Sequence, residues 1–310
     1  MNEPTPTPGA PPPSTFEPWF STALPPEAPV RPPESPPRGP GAWLRNRLPF
    51  LFEPWLKHLL LFLATIATTW WIGGPVYSAT LLAILAAHEM GHYLMARRYH
   101  VPVSLPYFVP LPIPPFGTMG AVIRLGNLGA NRRQLFDIGV AGPIAGLVLA
   151  IPACFLGIYL SKIVPLDSLN QKEYFELQSP LLFQWISDAI KGPMPAGQDL
   201  FLHPMAFAGW AGLFVTALNL LPIGQLDGGH IIYALFDRPW SGRVSVLVAV
   251  AFLGLAIFYN LSYILFAGIA FLMRHHPPTW DDSLPITPGR RLIGILLLLM
   301  FFLCFTPKPF

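Results

Sequence analysis

The chain has 310 residues, of which 53% are hydrophobic and only 11% are charged. Soluble domains carry about 25% charged residues, so this composition excludes an ordinary soluble protein and indicates a polytopic membrane protein. The net charge of +3 says little by itself, and no nucleic-acid partner is expected. Both cysteines, Cys154 and Cys304, lie in apolar runs, so a disulfide framework is not expected.

The first 40 residues differ from the rest of the chain, because 15 of them are proline. Such a segment cannot form helix or sheet ladders and favours extended, polyproline-like conformations. We therefore predict a disordered, proline-rich cytoplasmic tail at 1–40, followed by a transmembrane domain at 50–310. A ligand for a proline-recognition domain is the alternative interpretation of the tail.

Long apolar stretches follow the tail, and a helix needs about 20 such residues to cross a bilayer. We predict an all-α fold with six to seven transmembrane helices. The predicted spans lie near 55–73, 76–96, 135–161 and 204–236, with shorter stretches at 244–258, 262–273 and 291–305. The two short stretches from 244 to 273 could instead form one re-entrant unit.

The fourth predicted span, 204–236, is interrupted by asparagine, proline, aspartate and glycine residues. Irregular backbone at membrane depth is tolerated only where protein buries it or a wet cavity adjoins it. The interruption therefore predicts a broken helix that forms part of a functional site.

The charges between the spans predict the orientation. Residues 97–134 contain five arginines and no acid, whereas residues 162–203 contain three lysines and five acids. The first loop is therefore expected to be cytoplasmic and the second external, which also places the N-terminus in the cytoplasm. We expect a multi-pass protein of a bacterial inner membrane.

Residues 88–92 read His88-Glu89-Met90-Gly91-His92, an HExxH motif within the second predicted span. On a helix the two histidines are one turn apart on one face, so both imidazoles can reach one tetrahedral Zn²⁺. Glu89 can approach the metal-bound water without binding the ion, which suits a general base. Two histidines satisfied by neighbouring groups are the alternative, but buried ionisable groups in lipid are expensive and normally functional.

Two histidines leave such a zinc site in need of a third protein ligand. Asp227 is the favoured candidate, because an uncompensated carboxylate inside the broken span would be costly. His230 is the rival, although one turn is poorly suited to supply both ligands. Asp137 is interpreted as a cap at the start of the third span, where a helix N-terminus stabilises a carboxylate.

Three motifs together resemble the site-2 protease family of intramembrane zinc metalloproteases: HEMGH at 88–92, NLLP at 219–222 and QLDG at 225–228. The resemblance covers roughly 50–310 and points to the chloroplast-like and bacterial branch that lacks a PDZ domain. It implies zinc binding by His88, His92 and Asp227, with Glu89 activating water. It also implies that Asn219 engages the substrate backbone, unless this residue only caps the helix break.

Other stretches show where the chain follows or departs from the family. Residues 108–124 resemble a small membrane-associated strand region, so a hairpin is expected there. The family motif GxxxN ends here in glycine, at Gly142 and Gly146, and small residues at this spacing allow close helix contact. The loop at 162–203 is too short to hold a PDZ domain.

The expected function is hydrolysis of peptide bonds in transmembrane protein substrates, with Zn²⁺ as cofactor and the lipid bilayer as environment. The alternatives are a membrane transporter with a cation site in its broken helix and a catalytically inactive scaffold that binds client proteins. A transporter has no need for Glu89 between metal-spaced histidines, so mutation of this residue discriminates between them. The sequence indicates neither a particular substrate nor an oligomeric state.

Overall fold

The computed structural model describes residues 54–125, 130–166, 177–236, 238–261, 263–274, 276 and 279–306. All of them belong to one compact unit, Phe52–Phe310. The predicted disordered tail at 1–40 lies outside the described residues and stays a prediction.

The described residues are mostly helical, with eight helices and four short strands. The helices are α1 (Pro54–Arg98), α2 (Arg132–Leu160), α3 (Leu181–Lys191), α4 (Pro204–Asn219), α5 (Asp227–Phe236), α6 (Arg238–Phe258), α7 (Tyr263–Leu272) and α8 (Pro288–Cys304). The strands are β1 (Tyr107–Pro110), β2 (Thr118–Val122), β3 (Lys162–Pro165) and β4 (Gln198–Phe201). Within the described part of the chain, three helices are long and apolar enough to cross a membrane, namely Trp55–Arg98, Arg132–Leu160 and Trp240–Phe258.

Helix α1 contains a kink at Gly74, where φ is 78° and ψ is −178°. A side chain would be strained at this positive φ, and Pro75 next to it cannot donate a backbone hydrogen bond. The kink lies between the predicted spans at 55–73 and 76–96, so it separates two helical halves. The second half carries the HExxH motif.

Strands β1 and β2 form an antiparallel hairpin, which confirms the hairpin predicted at 108–124. The hairpin packs along the first half of α1. The ring of Tyr107 lies 4.1 Å from that of His58, and a Cβ at Gly117 would lie 2.9 Å from the Thr68 carbonyl oxygen. Since His58 and Thr68 are ten residues apart, the hairpin follows the helix for about 15 Å.

The interpretation of Asp137 as a helix cap is wrong. Helix α2 is capped by Asn131, whose side chain accepts from the backbone of Gln134 while the Gln134 side chain accepts from the Asn131 N–H. This capping box leaves Asp137 in the second turn of the helix. There it forms a bidentate ion pair with Arg290 of α8 at 2.7 and 2.8 Å and accepts from the Tyr99 hydroxyl.

The segment between α2 and α4 contains a second antiparallel pair, β3 with β4, which was not predicted. The fold is therefore not purely helical. Helix α3 lies between these strands in sequence and buries Phe183 and Ile186, while Trp185 is 56% exposed. Its apolar face packs into the main core.

Helix α4 packs closely against α1 and α2 because small residues line its buried face. A Cβ at Gly209 would lie 2.7 Å from the Cys154 sulfur of α2, and one at Gly212 would lie 2.9 Å from Ile84 of α1. Such contacts are typical of helices that pack in membranes. A seven-residue segment, 220–226, then joins α4 to α5 and brings both helix ends toward the HExxH motif.

Candidate metal centre

The second half of α1 presents the HExxH side chains to the interior of the protein. His88, Glu89 and His92 are all buried, with 3%, 5% and 6% of their surfaces exposed. The helical repeat places the two imidazoles on one face, and their rings meet edge to face at 4.9 Å. The predicted helical setting of the motif is therefore confirmed.

Asp227 begins α5 and completes a cluster of three donor atoms. Its carboxylate oxygen Oδ2 lies 3.1 Å from His88 Nε2 and 3.3 Å from His92 Nε2. The two imidazole nitrogens are 3.2 Å apart. At the first residue of a helix, the carboxylate is also stabilised by the positive end of the helix dipole.

The triangle of His88, His92 and Asp227 fits a tetrahedral zinc ion. Zinc–nitrogen and zinc–oxygen bonds of about 2.0–2.1 Å at tetrahedral angles separate neighbouring ligand atoms by about 3.3 Å. The observed separations of 3.1–3.3 Å agree with this value. Three protein donors also leave the fourth position of such an ion open.

Hydrogen bonding fixes the tautomer of His92. Its Nδ1 lies 2.7 Å from the carbonyl oxygen of Ile138 in α2. Because a carbonyl only accepts, Nδ1 carries the proton and Nε2 keeps its lone pair for the cluster. Ile138 could not be identified from the sequence, because any residue type can supply a backbone carbonyl.

The other two predicted site residues border the triangle. The carboxamide of Asn219, the last residue of α4, lies 3.1 Å from His88 Nε2. Glu89 lies outside the three-donor group, with the backbone of Ile123, just after β2, facing its carboxylate. All five residues predicted from the sequence therefore meet at one place.

Two glycines of α2 make room for the imidazoles. A Cβ at Gly142 would lie 2.0 Å from His92 Nε2, and one at Gly146 would lie 3.1 Å from His88 Nδ1. On α1, a Cβ at Gly91 would lie 2.4 Å from the Ala141 carbonyl oxygen. The close helix contact predicted from the Gly142–Gly146 spacing is confirmed, and α2 packs directly on the imidazoles of His88 and His92.

His230, the rival third ligand, is bonded elsewhere. Its Nδ1 lies 2.7 Å from Nε2 of His276, whose ring stacks on Tyr233 at 4.3 Å. This separation is that of a hydrogen bond and is shorter than the edge of a zinc tetrahedron. The geometry therefore favours Asp227 over His230 as the third donor.

Comparison with protein families agrees with this arrangement. The profile described as peptidase family M50 matches residues 76–261, which include the HExxH motif, Asn219 and Asp227. This chain belongs to peptidase family M50. The site-2 protease resemblance of the sequence is thereby confirmed.

Several curated relatives of this chain are named probable zinc metalloproteases. The probable zinc metalloprotease EGY2, chloroplastic, is 32% identical over 241 residues in Oryza sativa subsp. indica, covering 76% of this chain and 43% of the relative. The protein of the same name in Arabidopsis thaliana is 30% identical over 233 residues, covering 73% of this chain and 40% of the relative. The probable zinc metalloprotease EGY1, chloroplastic, of Arabidopsis thaliana is 36% identical over 160 residues, covering 51% and 29%.

The matched part of this chain spans less than half the length of these relatives. The chloroplastic names of these relatives fit the chloroplast-like branch of the family that the sequence indicated. Their names give no support to the predicted bacterial inner membrane or to the predicted orientation.

Proposed function

We propose that this M50 chain is an intramembrane zinc metalloprotease that hydrolyses peptide bonds of transmembrane proteins. The observation that carries the proposal is the triangle of the buried His88 and His92 with the partly buried Asp227, and the buried Glu89 beside it. A binding site alone would not need a second carboxylate next to the ligands. A hydrolase needs one, because a proton has to be moved during the reaction.

The same proposal includes the arrangement of the chain in the membrane. The kinked α1, α2, the pair α4 and α5, and the C-terminal helices would make six to seven spans. In this arrangement α4 and α5 are the two halves of a broken span, which the irregular segment 220–226 between them supports. The arginine-rich residues 97–134 would face the cytoplasm, together with the N-terminus.

Each site residue has a defined task in this mechanism. Zinc, held by His88, His92 and Asp227, would supply Lewis-acid polarisation of the scissile carbonyl and a lowered pKa for water. Glu89 accepts the proton of the attacking water at its carboxylate and returns it to the leaving amine. The Asn219 carboxamide, at the edge of the triangle, hydrogen-bonds the backbone of the substrate.

The substrate class follows from where the site lies. Backbone groups of a transmembrane helix are hydrogen-bonded to each other and shielded from attack. The enzyme therefore has to hold a locally unwound segment of its substrate. The site is built from the buried faces of α1, α2, α4 and α5, so an unwound segment would reach it from within the bilayer.

The test is the substitution Glu89→Gln, which keeps the size of the side chain but removes its ability to accept a proton at neutral pH. Turnover of a transmembrane substrate should fall by about 10²-fold or more, the usual scale for loss of a general base. Cleavage would be followed in membranes that hold the wild-type or the variant chain. Uncut substrate should co-purify with the variant.

Zinc content is the control for this experiment. Glu89 is not in the three-donor group, so the variant should keep its zinc and its thermal stability. Cleavage at the wild-type rate with zinc bound would overturn the proposed role of Glu89. Loss of zinc as well would make Glu89 a ligand, and its role would then have to be reassigned.

A further inference from the structure

The segment 220–226 connects two predicted site residues, Asn219 and Asp227, so its path determines where both side chains lie. The segment is tightly coiled. Its Gly224 has a φ of 30°, and a Cβ at this residue would lie only 1.5 Å from the Met273 carbonyl oxygen after α7. A Cβ at Gly228 would lie 2.0 Å from the Leu220 carbonyl oxygen. These close backbone contacts therefore restrict the conformation of the segment 220–226.

The hydrophobic side chains of this segment dock on α6 and α7. Leu221 and Ile223 are 4% and 1% exposed. They belong to a separate small core. Its other members from the two helices are Ala249, Phe252, Ala256, Tyr263, Ala267 and Ala270. This apolar contact packs the segment against the two helices, but it does not by itself orient the N–H and C=O groups of the backbone.

A serine of α6 supplies the directional contact. The fully buried Ser245 accepts a hydrogen bond from the Gly224 N–H at 3.0 Å, and its hydroxyl donates to the Ser241 carbonyl at 3.0 Å. The other backbone bonds of the segment are short-range, such as Leu226 N–H to the Ile223 carbonyl at 2.9 Å. Ser245 thus bonds the middle of the segment to a neighbouring helix.

We propose that Ser245 is a positioning residue for the metal centre, acting through the Gly224 N–H on the course of 220–226 and so on Asp227. The inference rests on the proposed role of Asp227 as a zinc ligand. Ser245 itself belongs to a different helix from all three proposed ligands. Groups that orient metal ligands commonly affect metal affinity about 10- to 100-fold when they are removed.

The chain offers a matched control one helical turn away. Ser241 is also buried, at 1% exposure, and its hydroxyl has no hydrogen-bond partner among the described residues. Ser241→Ala therefore removes the same atom from the same face of α6 without breaking a hydrogen bond made by that hydroxyl. Any general effect of replacing a buried serine in α6 should appear in both variants.

The experiment measures the rate at which Zn²⁺ is lost from the full detergent-purified chain to an excess of a coloured chelator. Ser245→Ala should release zinc about 10-fold faster than wild type. Ser245→Thr, which keeps the hydroxyl, and Ser241→Ala should both stay close to the wild-type rate. Thermal unfolding of each variant, measured in parallel, shows that the chain is still folded.

Asp227→Ala in the same assay separates the two proposals. Equal zinc in this variant and in wild type would overturn the ligand assignment, and the role of Ser245 with it. If Asp227→Ala loses zinc but Ser245→Ala releases it at the wild-type rate, only the inference about Ser245 is wrong. Equal acceleration in Ser245→Ala and Ser241→Ala, or fast release from Ser245→Thr, would also overturn it.

Discussion

The two imidazoles of the candidate metal centre are held in different ways. His92 is oriented by a hydrogen bond to the Ile138 carbonyl, whereas His88 Nδ1 is buried with no hydrogen-bond partner among the described residues. Helix α2 packs against both rings through Gly142 and Gly146. On its Nδ1 side the His88 ring is therefore held by packing, so the small residues of α2 help to orient it.

Gly142→Ala should disturb the metal centre, because the new methyl group would lie 2.0 Å from His92 Nε2 and the ring would have to move. Zinc affinity should fall by about 10-fold or more, as for other changes that misorient a ligand. Competition with a chelator of known affinity measures it. Gly254→Ala in α6, where a Cβ meets nothing within 4 Å, is the control and should bind zinc normally.

Replacing Asp227 and replacing His230, the two candidates for the third ligand, should have opposite effects on zinc content. Asp227→Ala should lower the zinc stoichiometry of the purified chain, because a tetrahedral site loses one of three protein donors. His230→Ala should keep the zinc, since His230 is hydrogen-bonded to His276 outside the triangle. Elemental analysis of both variants decides the matter. Zinc that survives Asp227→Ala and is lost in His230→Ala would reverse the assignment.

Among the helices, the C-terminal α8 is linked to the site by an ion pair with α2. Arg290 of α8 bonds both oxygens of Asp137, which precedes the Ile138 carbonyl that orients His92. The pair is largely shielded, with side-chain exposures of 30% and 14%. Such bidentate pairs are stronger and more directional than exposed ones.

A double-mutant cycle on Arg290 and Asp137 should show coupling of about 0.5–3 kcal/mol, the range for residues in direct contact. Each single alanine variant should unfold more readily in detergent than wild type. The neighbouring Arg291 is exposed, so Arg291→Ala should leave the stability unchanged. Additive effects of the two substitutions would show that this ion pair contributes nothing.

Elements with a strong local signal could be predicted from the sequence. The apolar runs indicated the helices, and the HExxH motif with the LDG aspartate indicated all three donors. Asp137 was misinterpreted because its partner, Arg290, is 153 residues away and only the tertiary fold brings the two together. Strands β3 and β4 were missed because each has only four residues and 32 residues separate them.

For the molecule as a whole, the distribution of charged residues predicts its orientation in the membrane. In α1 the exposed Arg98 follows the HExxH motif, while the exposed Gln184 of α3 lies in the segment predicted to be external. The two positions should therefore face opposite aqueous compartments. The native Cys154 and Cys304 are buried and should not react with added reagents.

Single cysteines at these positions test the orientation in intact cells. Gln184→Cys should react with a membrane-impermeant thiol reagent, whereas Arg98→Cys should react only after the membrane is permeabilised. The wild-type chain, with its two buried cysteines, is the background control. The reverse labelling pattern would overturn the orientation and, with it, the cytoplasmic placement of the N-terminus.

The sequence separation of the proposed ligands has a consequence for how the protein matures. His88 and Asp227 are 139 residues apart, and the second lies beyond α2, α3 and α4. The ribosome has to synthesise the 139 residues that follow His88 before the third donor exists. Because metal binding requires the assembled site, zinc would be acquired only after α5 has joined α1 in the membrane. A chain whose α5 has not yet paired with α1 would therefore lack one of the three proposed ligands.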